Sequence, residues 1–97
     1  MSVKRHGYDF EGPYSSPESL DQKPGVYEVT CGSKVLDVGE SENVQERLKK
    51  HDRAECWESE CSDVRFSVHY MSGSSKEERQ KVESELRSKE KPSCGQR

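Results

Sequence analysis

No stretch of this chain stays apolar over anything near the length of a membrane-spanning helix, so no helical membrane span is expected. The first ten residues, MSVKRHGYDF, lack the hydrophobic stretch of a secretory signal, and the expected location is the cytoplasm. Apolar residues are scarce, at 28% against 36% charged. If they were scattered, that balance would leave the chain disordered. A basic excess is missing too. The net charge of −3 argues against a general coat for nucleic acid, since broad binding to phosphate backbone draws on surplus positive charge. There is no internal repeat, and no low-complexity tract beyond the serine-rich turn Ser72-Gly73-Ser74.

The apolar residues that are present are grouped. Val26, Tyr27, Val29, Val35, Leu36, Val38, Val44, Leu48, Val64, Phe66, Val68, Val82 and Leu86 fall in short clusters with strand or helix spacing, the pattern of a thin but genuine core. At 97 residues the chain holds one core, and any site must lie on a single sheet and the helices beside it. Residues 1–23 are rich in turn-formers and read as an N-terminal arm, with a helical turn started at Ser16-Pro17-Glu18. Pro24-Gly25 opens the domain proper, 24–97. Val26–Cys31 and Lys34–Val38 flank the turn signal Gly32-Ser33 and predict a hairpin.

Ser41 or Asn43 can cap a helix reaching about Lys50, with Asn43 and Glu46 at capping-box spacing. His51–Asp63 reads as a loop, with Trp57 anchoring it on the core. Val64, Phe66, Val68 and Tyr70 alternate with Arg65, Ser67 and His69 in a third strand, His69 on its solvated face. Ser75 and Glu78 form another capping box for a helix to about Ser88. The expected fold class is α/β (α+β): a small three-stranded sheet in the order β-β-α-β-α, flanked by helices.

Charge is placed unevenly. QERLKKHDR at 45–53 carries four basic residues against Glu46 and Asp52, whereas ECWESECSD at 55–63 carries three Glu and one Asp and no base. A local basic face can therefore sit beside an acidic loop. Cys31, Cys56, Cys61 and Cys94 would pair as two disulfides in a secreted chain; without a signal they read as reduced thiols or metal ligands. His51, Cys56, Cys61 and Cys94 are candidate zinc ligands, but their spacing departs from the tight C-x₂-C pattern, which favours free or buried thiols.

The helix after the hairpin places Arg47 and His51 four residues apart, hence on one face. Arg47 offers a fork of donors suited to phosphate, and His51 can exchange protons near neutral pH. Read alone, the pair favours a solvated helix surface over a site, and so does Glu83 among its neighbouring glutamates.

The ordered set of motifs resembles the GIY-YIG nuclease family. Gly25-Val26-Tyr27 stands for its first motif and Asp37-Val38-Gly39 for its second. SENVQERL at 41–48 is similar to its S-x-N-L-x-x-R-L helix, His51 follows, and Val82-Glu83-Ser84-Glu85-Leu86 is similar to its I-E-x-x-L segment. The resemblance runs from about Pro24 to Gly95. It implies a metal-dependent endonuclease that hydrolyses DNA phosphodiester bonds. Tyr27 and His51 would position and deprotonate a water, Arg47 would bind the phosphate, and Glu83 would hold one Mg²⁺ or Mn²⁺. The sequence departs from the family at Asp37, where the motif has Tyr, and at Gly95, where Asn often follows Pro-x-Cys. Asp37 can recruit a metal or act as a base; otherwise it is a turn or helix-entry residue near the sheet edge. DNA would be bound weakly, with a protein partner supplying damaged or branched substrates, and no membrane is involved. Two alternatives stay open: a catalytically inactive nucleic-acid or protein binding module on the same fold, and a small zinc-binding structural or regulatory protein.

Overall fold

The structure of the protein, a computed structural model, describes residues 2–94. One antiparallel sheet holds five strands, β1 (Ser2–Arg5), β2 (Tyr8–Tyr14), β3 (Gly25–Cys31), β4 (Lys34–Ser41) and β5 (Arg65–Tyr70), in the spatial order β1-β2-β5-β3-β4. Three α-helices, α1 (Val44–Lys49), α2 (Ala54–Glu60) and α3 (Lys76–Glu90), and a short 3-10 helix, Pro17–Ser19, where a helical turn was expected, complete it among the described residues. The mixed α+β class is as expected, but five strands replace the expected three. The additional two come from the segment read as an arm. His6 and Gly7 both take positive φ, the backbone of a tight two-residue hairpin, and join β1 to β2. The pattern is faint because Phe10 is the one hydrophobic residue of β2 that is fully buried.

β3 lies between β4 and β5 and is buried along almost its whole length. Its side chains alternate between the two faces of the sheet. Val26 joins Val35, Val38, Val82, Leu86 and Phe10 beneath α3. Tyr27 and Val29 join Leu36, Val44, Leu48, Trp57, Phe66 and Val68 on the opposite face, beneath α1 and α2. So few apolar residues suffice because both faces of the central strands are covered. The α3 face also buries Glu28, which is 0% exposed. Arg5 Nε lies 3.2 Å from its carboxylate, yet neither carboxylate oxygen has a hydrogen bond among the described residues.

The helix starts follow their sequence signals. Asn43 accepts the Glu46 N–H at the start of α1, and Ser75 with Glu78 forms a full capping box on α3. Trp57 is buried as expected, but the segment around it is the helix α2 rather than a loop. Arg53 gives α2 no side-chain cap, and seven residues with a single buried side chain have little tendency to form a helix alone. Covalent ties supply what propensity does not. Cys56 is bonded to Cys94 and Cys61 to Cys31, fixing α2 to β3 and to the segment that follows α3. The expectation of reduced thiols or zinc ligands is corrected here. Cys56, Glu60 and Cys94 do cluster, but the two sulfurs are bonded to each other and neither is a thiolate. No helix among the described residues is long and apolar enough to cross a membrane.

The bridges close loops of 30 and 38 residues in sequence separation, and loops of that size restrict the unfolded chain by about 3–4 kcal/mol each. Reduction by a dithiol, or the paired change Cys31→Ser and Cys61→Ser, is expected to lower unfolding free energy by about 3 kcal/mol per bridge lost. Urea unfolding with and without reductant reads this directly. An unchanged midpoint would contradict it.

Candidate active site

Tyr27 sits on β3, opposite Gly39 of β4. A Cβ at Gly39 would overlap the Tyr27 ring and hydroxyl, so the absent side chain makes room for the phenol. The Tyr27 hydroxyl is 2.7 Å from His51 Nε2, and the rings meet edge to face. His51 lies past the end of α1 rather than on it, held in the turn into α2. Its ring packs against Trp57 with centroids 4.6 Å apart. The Arg53 backbone N–H donates to His51 Nδ1 over 3.1 Å. In that neutral tautomer the proton is on Nε2 and is donated to Tyr27, leaving the Tyr27 O–H free to donate elsewhere.

Burial and two cations decide the protonation states. Desolvation, aided by Arg47 and Arg53, pushes the His51 imidazolium down to about 4. Desolvation raises the Tyr27 phenol to about 12, partly countered by Arg47. At neutral pH both groups are therefore uncharged.

In front of Tyr27 is a cavity of about 260 Å³, lined by polar and charged side chains that include Arg47, Arg53, Lys76, Glu40 and Glu83. Tyr27, Arg47 and Glu83 thus share one cavity, with His51 directly behind the phenol. Arg47 is held by Asp52 at 3.2 Å. Glu83 Oε2 accepts from Arg87 Nε at 3.2 Å, and Oε1 has no hydrogen bond among the described residues. Glu83, Glu40 and Gln80 line the cavity; side-chain oxygen is a donor type that suits a hard divalent cation, and Glu40 Oε1 already accepts from Arg79 Nε at 2.9 Å.

Asp37 is placed differently from either expectation. It lies within β4, not in a turn or helix entry, and is 0% exposed. The register of β3 with β4 shifts between Val29 and Thr30. Leu36 becomes the extra residue, so both Leu36 and Asp37 are on the α1/α2 face, as bulges allow. There the Asp37 carboxylate accepts from Arg53 Nε at 2.7 Å, Arg53 Nη2 at 3.2 Å, Trp57 Nε1 at 3.0 Å, Arg87 Nη2 at 3.2 Å and the Val38 N–H at 2.9 Å. A carboxylate so enclosed is not presented as a metal ligand or base. Gly95, the other departure, lies outside the described residues. Lys76, Glu40 and Arg87 were not singled out from sequence, and Arg53 counted only as one base of the 45–53 run.

His51 and Glu28 pull stability in opposite directions with pH. As pH falls from 6.5 to about 4, the unfolded chain takes up a His51 proton that the folded chain refuses. Stability is lost on acidification. Glu28 is raised from 4.5 to about 7, by burial first, against the pull of Arg5. As pH rises through that range the unfolded chain sheds a proton that the folded chain keeps, and stability falls. Where the windows overlap, the two contributions cancel. Glu28→Gln leaves only His51, so this variant should gain stability with rising pH there, by at most about 1.4 kcal/mol per pH unit. Urea unfolding across the window measures it, and a variant profile parallel to the wild type would refute it. Gly39→Ala should lose about 1–3 kcal/mol or more by overpacking against Tyr27, visible as a lowered thermal midpoint.

The sequence matches no protein-family model and no curated protein. Solved structures do match in fold. A point mutant of the GIY-YIG N-terminal endonuclease domain of UvrC from Thermotoga maritima, bound to its catalytic divalent cation, has a TM-score of 0.61 at 18% identity, covering 79% of this chain and 87% of that one. A second point mutant has a TM-score of 0.59 at 17% identity over the same shares. The form bound to magnesium has a TM-score of 0.58 at 18% identity, covering 75% and 83%. Identity this low speaks to architecture alone: the chain has the GIY-YIG nuclease fold.

Proposed function

We propose that this chain is a divalent-cation-dependent endonuclease domain that hydrolyses phosphodiester bonds in DNA. The observation that carries the reading is the convergence of Tyr27, Arg47 and Glu83 on one cavity, with His51 bonded to the phenol behind it. Tyr27, the Arg47–His51 segment and Glu83 are distant in sequence, and a set of solvated surface side chains has no reason to converge.

Each has a role that follows from its surroundings. Arg47 presents a guanidinium to a phosphate, whose charge it neutralises as the transition state forms. Tyr27 stays protonated, accepts from His51 and aims its own O–H into the cavity, where it orients the water or a phosphate oxygen. His51 is neutral and fixes the phenol without adding charge. Glu83 would hold Mg²⁺ or Mn²⁺, with the other cavity oxygens and water completing the shell. Such an ion, when bound, supplies Lewis acidity toward the phosphate and the leaving oxygen. Asp37 takes part only by positioning its partners. The domain's net charge of −3 implies weak binding to DNA generally, with affinity concentrated at this cavity.

The test is nicking of supercoiled or branched DNA by purified protein with Mg²⁺ or Mn²⁺. Glu83→Ala and Arg47→Ala are each expected to reduce the rate by about a hundredfold or more, with circular dichroism unchanged. Activity that survives Glu83→Ala would remove this reading, and DNA binding without cleavage would move the chain to a binding module.

A further inference from the structure

The nuclease reading assigns one phosphate-binding residue, Arg47. The same cavity is also lined by Arg53, which no motif singled out. We propose that Arg53 is a second phosphate-binding residue and that Asp37 is the positioning residue that aims it. This deepens the reading above and rests on the same cavity.

Arg53 is bound to Asp37 through one edge of its guanidinium, Nε to Oδ2 and Nη2 to Oδ1. Among the described residues Nη1 has no hydrogen bond. A guanidinium held bidentately along one edge keeps donors on its other edge for a second anion. Its side chain is 28% exposed while that of Asp37 is 0% exposed, so the carboxylate is sealed and the cation is open. Neutralising Asp37 does not by itself call for Arg53, because Arg87 and the Trp57 indole N–H already bond the same carboxylate.

Placement is fixed twice more. The Arg53 backbone N–H is bonded to His51 Nδ1, which ties Arg53 to the group behind Tyr27. Asp37 is on this face by strand alternation, paired with Val29 and two residues from Gly39, which faces the Tyr27 ring, and it is clamped by Trp57 from α2 and Arg87 from α3. The guanidinium is therefore already oriented, and a ligand phosphate would not need to order it. Arg53 and Arg47 together give the cavity two forks suited to phosphate oxygens.

The experiment measures binding of the wild-type protein to a short DNA duplex in EDTA, across a range of salt, so that cleavage plays no part. Arg53→Gln is expected to weaken binding about tenfold to a hundredfold and to reduce the slope of log affinity against log salt by about one. Arg53→Lys keeps a cation beside Asp37; it should restore the slope while recovering only part of the affinity. If Arg53→Gln does not fold, Arg53→Lys decides: wild-type affinity in that variant overturns the proposal, and weakened affinity with an unchanged slope supports it. A folded Arg53→Gln with wild-type affinity and slope overturns it, as does a wild type that does not bind the duplex. Should the wild type bind with this Arg53 dependence yet fail to nick DNA with Mg²⁺, the nuclease reading falls and the Arg53 assignment stands. Nicking by the wild type with binding indifferent to Arg53 removes this inference alone.

Discussion

A buried carboxylate is tolerated only when its charge is paired and its lone pairs are used, and Asp37 meets that condition by drawing three elements together. Arg53 and Trp57 come from the start and middle of α2, Arg87 from α3, and the Val38 N–H from its own strand. Arg87 in turn bonds Glu83, and the Arg53 backbone bonds His51. One buried charge therefore sets the relative positions of the side chains around the cavity. Truncating it would remove the acceptor of the Arg53 guanidinium and the Trp57 indole and one acceptor of Arg87, which differs from losing a single surface ion pair.

Much of the scaffold was legible because its signals are local. The β3–β4 hairpin, the cap at Asn43, the alternation in β5 and the capping box at Ser75 each depend on residues a few positions apart. β1 and β2 were not legible, since one buried Phe10 and a His6-Gly7 turn give too little alternation to stand out. α2 was hidden for a different reason: its helicity is imposed by cystines and by Trp57, which are long-range facts. The cysteines themselves were misread because pairing was inferred from compartment, and spacing cannot reveal which sulfurs meet in space.

The candidate site divides along the same line. Tyr27, Arg47, His51 and Glu83 were nameable from ordered motifs. Asp37 was noticed, but its role was not, because that role comes from Arg53, Trp57 and Arg87, which other elements of the fold bring to it. Arg53 counted only as one base of the charged run 45–53. Its significance comes from the buried carboxylate beneath it, and no periodicity encodes that. Gly39 lay in the second motif, yet the reason for a glycine is visible only against the Tyr27 ring. The cavity joins uncharged, buried reactive groups at its back to cations and carboxylates at its front, so charge is concentrated where a phosphate would lie.

The two cystines overlap in sequence: Cys56 falls inside the span closed by Cys31 and Cys61, and Cys61 inside the span closed by Cys56 and Cys94. A single backbone break anywhere between Cys31 and Cys94 therefore leaves the two pieces covalently joined. Asp37, Arg47, His51, Arg53 and Glu83 all lie within that interval, with Tyr27 just outside it. A protease that nicks one surface turn there cannot release any part of the site, so the oxidised domain resists fragmentation by its connectivity, independently of how tightly it is folded.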